Sequence, residues 1–301
     1  MKASVIVIDY KRKKYILDAL KSIKNQKGID LNDIEVIVVK YYQDEKIDNY
    51  IKENFPNYKI INLDPNGPDR YCGSELAIGI KEASNNLIFL LDDDDMFTEN
   101  KISRIFEIVK NIKYDEYAIW NEAIITQDLK GRTLKNPEHK RIYNNSSIVL
   151  YIKDKDKLIS YIRKIYYSVD PFLLCYFNRN KKVIKLNESL TYIRKNQESI
   201  TRGKRNRQML EMILYDHQYI YEKTECKNRI LSIVIYKIQL NLLYNANYKI
   251  SLKEYIECLL LFDEDYIKRL SVVILYKLFR NYLKKYYLGK RIYTDLNIQN
   301  T

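Results

Sequence analysis

Leu87-Ile88-Phe89-Leu90-Leu91-Asp92-Asp93-Asp94-Asp95 sets an unbroken apolar run directly against an unbroken run of carboxylates. The apolar part does not alternate with polar residues, which suits a strand covered on both faces rather than one facing water. Adjacent carboxylates repel one another. Their place at the end of a core strand therefore points to a cation held there in the working state, most simply a divalent metal.

Working outward toward the N-terminus, Val5-Ile6-Val7-Ile8 is a β-branched run, and Ile16, Leu17, Leu20 and Ile23 follow at helical spacing. Ile34-Glu35-Val36-Ile37-Val38-Val39 reads as a second strand, Ile47 to Phe55 as a helix stopped by Pro56, and Tyr58 to Leu63 as a third strand. The turn Asp64-Pro65-Asn66-Gly67-Pro68 and a helix from Tyr71 to Ala83 lead into the Leu87 strand. Strand and helix alternate, which predicts an α/β fold with a parallel sheet flanked by helices. Ligands of such sheets bind outside the carboxyl ends of the strands. The loops after Ile8, Val39, Leu63 and Leu91 are thus expected to share one cleft.

Downstream, a helix over Ile102 to Ile112 and a strand over Tyr117 to Thr126 continue the pattern, and polar Gln127 to Asn145 reads as a loop or excursion near the cleft. Ser147 to Ile152, a helix over Lys155 to Ile165, and short strands at Val183 to Leu186 and Ser189 to Arg194 complete the first domain, 1–204. The remainder, 205–301, favours helix over Met209 to Tyr221, Cys226 to Tyr244, Leu252 to Leu261 and Tyr266 to Tyr287.

At 301 residues and 46% hydrophobic the chain has enough material for a sizeable core, which argues against disorder over most of its length. A net charge of +13 favours phosphate-rich partners without choosing among nucleotides, anionic lipid and nucleic acid. Cys72, Cys175, Cys226 and Cys258 form no Cys-x-x-Cys pair and are read as reduced thiols, in keeping with a cytoplasmic protein. The first strand is expected to begin after only Met1-Lys2, its apolar stretch is too short for the central region of a signal peptide, and no apolar segment approaches the roughly 20 residues of a membrane-spanning helix.

An ordered series of segments then carries a family resemblance: Ser4 to Arg12 with Leu20 and Ser22-Ile23 behind it, Glu35 to Val39, Asn66-Gly67, Gly79 to Ala83, Leu91 to Asp95, Val169-Asp170, and Tyr192-Ile193-Arg194 followed by Ser199. Over roughly residues 3–205 the chain resembles a family 2 glycosyltransferase of the nucleotide-diphospho-sugar transferase type. The resemblance implies a GT-A-like, Rossmann-related sheet flanked by helices with a mainly helical C-terminal unit. It implies an inverting, metal-dependent transfer of a sugar from a nucleoside-diphosphate-sugar to an acceptor hydroxyl. Carried onto this chain, it puts Ile8, Tyr10, Lys40, Arg70, Asp92 and Asp93 at the nucleotide sugar. Asp94 binds Mn2+ or Mg2+, with Asp95 as a second ligand. Asp170, ahead of Pro171-Phe172-Leu173-Leu174, becomes the base that removes the acceptor proton; its place before a proline is equally that of a helix cap.

Several positions depart from the family. Lys40 stands where many members have an aspartate that pairs with uracil, and an ammonium cannot accept the ring N–H. Glu75-Leu76-Ala77 replaces an Ala-Arg-Asn pattern, and Asn196 or Gln197 stands where a histidine is common. His139 and His217 lie outside the motifs and read as surface or structural residues. A sugar-nucleotide or glycan-binding protein that has lost turnover is the alternative reading. From Tyr266 onward Lys268, Arg269, Lys277, Arg280, Lys284, Lys285, Lys290 and Arg291 oppose only Asp295. Such a stripe beside an apolar face suits docking on an anionic membrane surface through 266–291, a homodimer contact, or packing within its own domain. The expected partners are a nucleotide sugar and a glycan or lipid-linked sugar acceptor; no nucleic acid is expected. The expected location is cytoplasmic, peripheral on the inner membrane face.

Overall fold

The computed structural model describes residues 1–9, 13–67, 71–126, 138–140, 144–180, 182–194 and 206–260. The chain falls into two compact units, one built from Met1–Ile165 and Phe172–Asn196, the other from Tyr166–Pro171 and Gln197–Thr301.

The first unit opens with β1 (Ala3–Asp9), α1 (Ile16–Lys24), β2 (Ile34–Lys40), α2 (Glu45–Asn54), β3 (Asn57–Asn62), α3 (Cys72–Glu82) and β4 (Leu87–Asp92). β1 and β2 are buried along nearly their whole length, as their unbroken apolar runs require. In α1 the buried residues Ile16, Ala19, Leu20 and Ile23 form one face that lies in the same core cluster as Val5, Val36 and Phe89. α2 starts where the Asp44 carboxylate accepts from the Ile47 N–H at 3.3 Å and stops before Pro56. Gly79 of α3 has no side chain to hold it off the sheet: a Cβ there would lie 2.6 Å from Ile6 Cγ2.

The rest of the unit comprises β5 (Met96–Phe97), α4 (Lys101–Val109), β6 (Tyr117–Thr126), β7 (Glu138–Lys140), β8 (Ile148–Tyr151), α5 (Lys155–Ile162), α6 (Val169–Asn180), whose first residues belong to the second unit, and β9 (Lys182–Arg194). Among the described residues the strands form one sheet in the order β3-β2-β1-β4-β8-β6-β9-β5, with β7 paired to β6.

β3, β2, β1 and β4 are mutually parallel, as alternating strands and helices predict. Beyond β4 the sheet is mixed, because β8 runs antiparallel to both β4 and β6. Apolar runs look alike in either direction, so this reversal is not legible in the strand patterns. The two short strands expected at Val183–Leu186 and Ser189–Arg194 are one strand, β9, with an irregular register opposite Asn121 and Glu122 of β6. Within the excursion expected over 127–145, Glu138–Lys140 pairs with β6.

The second unit is helical over its described residues: α7 (Arg207–Thr224), α8 (Asn228–Tyr244) and α9 (Leu252–Leu260). α8 is buried on almost every side from Arg229 to Leu242, so it is the central helix among those described in this unit. The helix expected over Tyr266–Tyr287 and the basic stripe 266–291 lie outside the described residues. No helix among the described residues is long and apolar enough to cross a membrane. The cysteine reading needs correction at two positions. Cys72 and Cys258 are free thiols, whereas Cys175 and Cys226 are disulfide-bonded; their wide spacing in the chain gave no indication of this.

Candidate active site

Register alone brings the acidic run to β1 and β2. Ile8 sits opposite both Asp92 and Val39, and Asp9 opposite Lys40, so the carboxyl ends of β1, β2 and β4 meet at one edge. The Asp93 N–H donates to the Ile8 carbonyl at 3.0 Å, which carries the β1 to β4 pairing one residue into the acidic turn. Asp92 is half-buried, while Asp93, Asp94 and Asp95 are buried.

Asp95 is the anchor of this turn. Its carboxylate accepts from Asn144 Nδ2 at 2.6 Å, from the Ser146 hydroxyl at 2.7 Å and from the Arg194 N–H at 3.1 Å. Ser146 acts in both directions, since its Oγ also accepts from the Asp92 N–H at 3.0 Å. Burial, together with the negative charge of Asp94, pushes the Asp95 carboxyl up to about 7 in spite of those donors. Arg194 closes the turn from the other side. It donates through Nε to the Asp94 carbonyl at 3.2 Å and through Nη2 to Asp18 of α1 at 2.8 Å, with its guanidinium 4.3 Å from the Tyr15 ring centre.

Behind the turn lies a buried lysine. Lys101 Nζ donates to the Ser146 carbonyl at 2.5 Å and to Thr191 Oγ1 at 2.9 Å, and it sits 4.1 Å from the Phe97 ring centre. Burial lowers its pKa well below the ordinary lysine value, with the Asp95 charge pulling the other way. Nothing in the local sequence marks Lys101, Asn144, Ser146 or Thr191 as part of this site. Their partners are 45 to 90 residues away along the chain.

Lys40, expected at the nucleotide sugar, is enclosed by protein groups. Its side chain is 0% exposed, with the ammonium donating to the Tyr42 carbonyl at 2.5 Å and to Asn62 Oδ1 at 2.7 Å while pairing with Asp48 Oδ1 at 3.1 Å. Two of its three donors are taken by those hydrogen bonds, and Asp48 pairs its charge. Lys40 ties the end of β2 to β3 and α2. Beside it the Tyr42 hydroxyl donates to Asp9, and the Lys13 ammonium lies 4.5 Å from the Tyr42 ring centre. Glu75, which replaces an expected polar contact, is fully buried and accepts from the Tyr41 hydroxyl at 2.6 Å.

Tyr10 and Arg70 lie outside the described residues, as do Asn196 and Gln197. Of His139 only the backbone pairing with β6 is described. His217 is buried and stacked on Tyr236, with ring centres 5.3 Å apart.

Asp170 belongs to the second unit, at the start of α6. It keeps part of its surface exposed, yet lost hydration pushes its carboxyl up to about 7, with the Arg229 charge and a backbone hydrogen bond pulling down. A carboxylate poised there suits proton transfer near neutral pH.

Among the described residues no group of three or more His, Cys, Asp or Glu side chains converges on a point where a metal ion would fit. The acidic turn nevertheless suits a hard cation of one kind. Mg2+ and its relatives are often held by one or two carboxylates, with substrate phosphates and water completing the shell. Asp95, held by three protein donors, braces the turn in which such carboxylates sit.

Residues 4–166 match the model of the family described as "Glycosyl transferase family 2". A curated relative, the "Uncharacterized glycosyltransferase YwdF" of Bacillus subtilis (strain 168), is 28% identical over 145 residues, 48% of this chain and 50% of that protein. The chain thus spans about half the length of that relative. Among solved structures, S. aureus TarS 1-349 is 18% identical with a TM-score of 0.54, covering 96% of this chain and 92% of that one. Its complex with UDP-GlcNAc gives 17% and 0.53 over 91% and 81% of the two chains. The mannosyltransferase PcManGT from Pyrobaculum calidifontis, in complex with GDP-Man and Mn2+, gives 10% and 0.51 over 93% and 88%. At these identities the likeness to solved structures is one of fold.

Proposed function

The chain belongs to glycosyl transferase family 2, and on that premise we propose that it moves a sugar from a nucleoside-diphosphate-sugar to an acceptor hydroxyl, with inversion at the anomeric carbon. The observation that carries this reading is the braced acidic turn at the carboxyl ends of β1 and β4, held by Asn144, Ser146 and Arg194. A run of carboxylates kept in place by dedicated donors is preorganised for a cationic ligand rather than a solvated loop.

Asp92 and Asp93 are assigned to the nucleotide sugar and Asp94 to the cation. Mn2+ or Mg2+ bound by Asp94, phosphate oxygens and water would neutralise charge on the departing diphosphate. Asp170 takes the proton of the acceptor hydroxyl as its oxygen attacks, and a single displacement inverts the centre. With Lys40 internal, recognition of the base falls to other groups near the end of β1, where Asp9 and Tyr42 already form a polar pair. The acceptor is a glycan or a lipid-linked sugar.

The test is nucleoside diphosphate release from a panel of nucleotide sugars that includes UDP-GlcNAc and GDP-Man, with and without Mn2+, beside thermal shifts by the same ligands. Stabilisation and cleavage that need both metal and Asp94, and are lost in Asp94→Ala, are the expected result. A folded wild type that binds nucleotide sugars but cleaves none would instead make it a binding protein.

A further inference from the structure

A buried carboxylate outside the acidic turn has a use that the mechanism above leaves unassigned. Asp216, on α7, is 0% exposed and accepts from the consecutive N–H groups of Tyr166 at 2.8 Å, Tyr167 at 2.8 Å and Ser168 at 2.9 Å. All four residues belong to the second unit. The next residue, Val169, begins α6, and Asp170 follows it.

Val169 is the first helical residue, so Tyr166, Tyr167 and Ser168 lie just ahead of the helix, where buried N–H groups must still find acceptors. Here the acceptor comes from 48 to 50 residues away. That makes the direction in which the chain enters α6 a property of α7. Three consecutive donors on one carboxylate fix the orientation of three peptide planes, and a peptide plane is rigid. The first turn of α6 therefore inherits its position from Asp216.

Several observations separate this from generic packing. An apolar residue would satisfy none of the three donors, and an asparagine would turn an NH2 toward N–H groups. Burying a carboxylate in such a place is costly, and burial indeed pushes Asp216 up to about 6 against the pull of its backbone donors. The neighbouring rings are ordered around the same segment, with Tyr166 edge-on to Tyr215 at 5.5 Å and Tyr215 stacked on Tyr219 at 6.1 Å.

We propose that Asp216 is the positioning residue of the reaction: by gripping the peptides of Tyr166, Tyr167 and Ser168 it sets the place of the Asp170 carboxylate. The inference rests on the reading of Asp170 as the base. A misplacement on the order of 1 Å costs roughly a hundredfold in rate when the displaced group takes part in the chemistry.

The experiment uses the full chain and the nucleotide sugar of the panel that the wild type cleaves fastest, with kcat and donor KM measured for Asp216→Asn, Asp216→Glu and Asp170→Asn. Asp216→Asn is expected to lose roughly a hundredfold in kcat with donor KM and the nucleotide thermal shift unchanged. Asp216→Glu, which keeps the acceptor oxygens one methylene out of place, is expected to fall between it and wild type. If the asparagine variant does not fold, a kcat for the glutamate variant at least tenfold below wild type at unchanged KM gives the same support. Wild-type kcat in a folded variant, or kcat and KM changing together, would overturn the positioning role. Full turnover by Asp170→Asn would instead remove the base assignment on which the inference stands, as would a wild type that cleaves no donor.

Discussion

Replacing Asp95 by asparagine should abolish a pH dependence of stability that the wild type carries in its first unit. The Asp95 side chain is almost wholly enclosed, and its carboxyl is pushed from an ordinary 3.8 up to about 7 by burial and by Asp94. In the unfolded chain it titrates near the ordinary value. Between those two values the folded protein binds more protons than the unfolded one, so this group lowers stability as pH rises through the window. The shift of about 3 units corresponds to about 4 kcal/mol in full, of which about 3 kcal/mol develops between about pH 4.5 and 7.5. Asparagine cannot ionise and lacks that slope.

At any single pH the two proteins also differ because asparagine satisfies fewer of the donors from Asn144, Ser146 and Arg194. That offset does not vary with pH, so the change in the difference isolates the proton. Asp170 and Asp216, also raised, contribute slopes of the same sign, and Glu35, held low by Ser4 and Ser84 against its burial, contributes the opposite; these are common to both proteins. The assay is urea unfolding in the presence of a chelator, followed by the fluorescence of Trp120, the single tryptophan, which is buried in β6 of the same unit. Asp95→Asn should gain about 3 kcal/mol relative to wild type from the acid to the neutral end. A difference that stays flat with pH, or that grows in favour of wild type, would refute the assignment of a buried, proton-retaining carboxylate at the turn.

Three further outcomes follow from named contacts. Turnover by the wild type should rise with pH through about 7, because Asp170 must be deprotonated to act as a base, and Asp170→Asn should abolish turnover while nucleotide thermal shifts persist. Lys40→Met should cost about 3 kcal/mol by stranding Asp48 and Asn62, without changing the ranking of nucleotides by thermal shift; an altered ranking in a protein of unchanged stability would return Lys40 to the binding site. Gly73→Ala should lower Tm, since its new Cβ would lie 2.2 Å from the Ile162 carbonyl and 2.3 Å from that of Ile165, forcing α3 away from α5 at a cost near the top of the ~1–3 kcal/mol range for overpacking. An unchanged Tm would contradict that close approach.

Much of the site was legible before folding because β-sheet ligation follows strand ends. Once Leu87 to Leu91 reads as a buried strand, Asp92 to Asp95 must lie at its carboxyl end, and the β-branched run ending at Ile8 places a second edge beside it. The helical character of residues 207–260 was equally plain from apolar periodicity. The family pattern says which strand end Lys40 occupies, not which way its ammonium points. Only the placement of Tyr42, Asp48 and Asn62 around it decides that.

The amino-acid sequence by itself determined the alternating strands and helices, the acidic run at a strand terminus, and the family these imply, because all of them depend on local periodicity and on segments in order. Tertiary structure alone decided the reversal at β8, the bracing of Asp95 by Asn144, Ser146 and Arg194, the burial of Lys40 and Lys101, and the grip of Asp216 on the entry to α6. The physical reason is that a buried polar group must find partners for its hydrogen bonds wherever the fold supplies them, and here those partners are for the most part tens of residues distant in the chain.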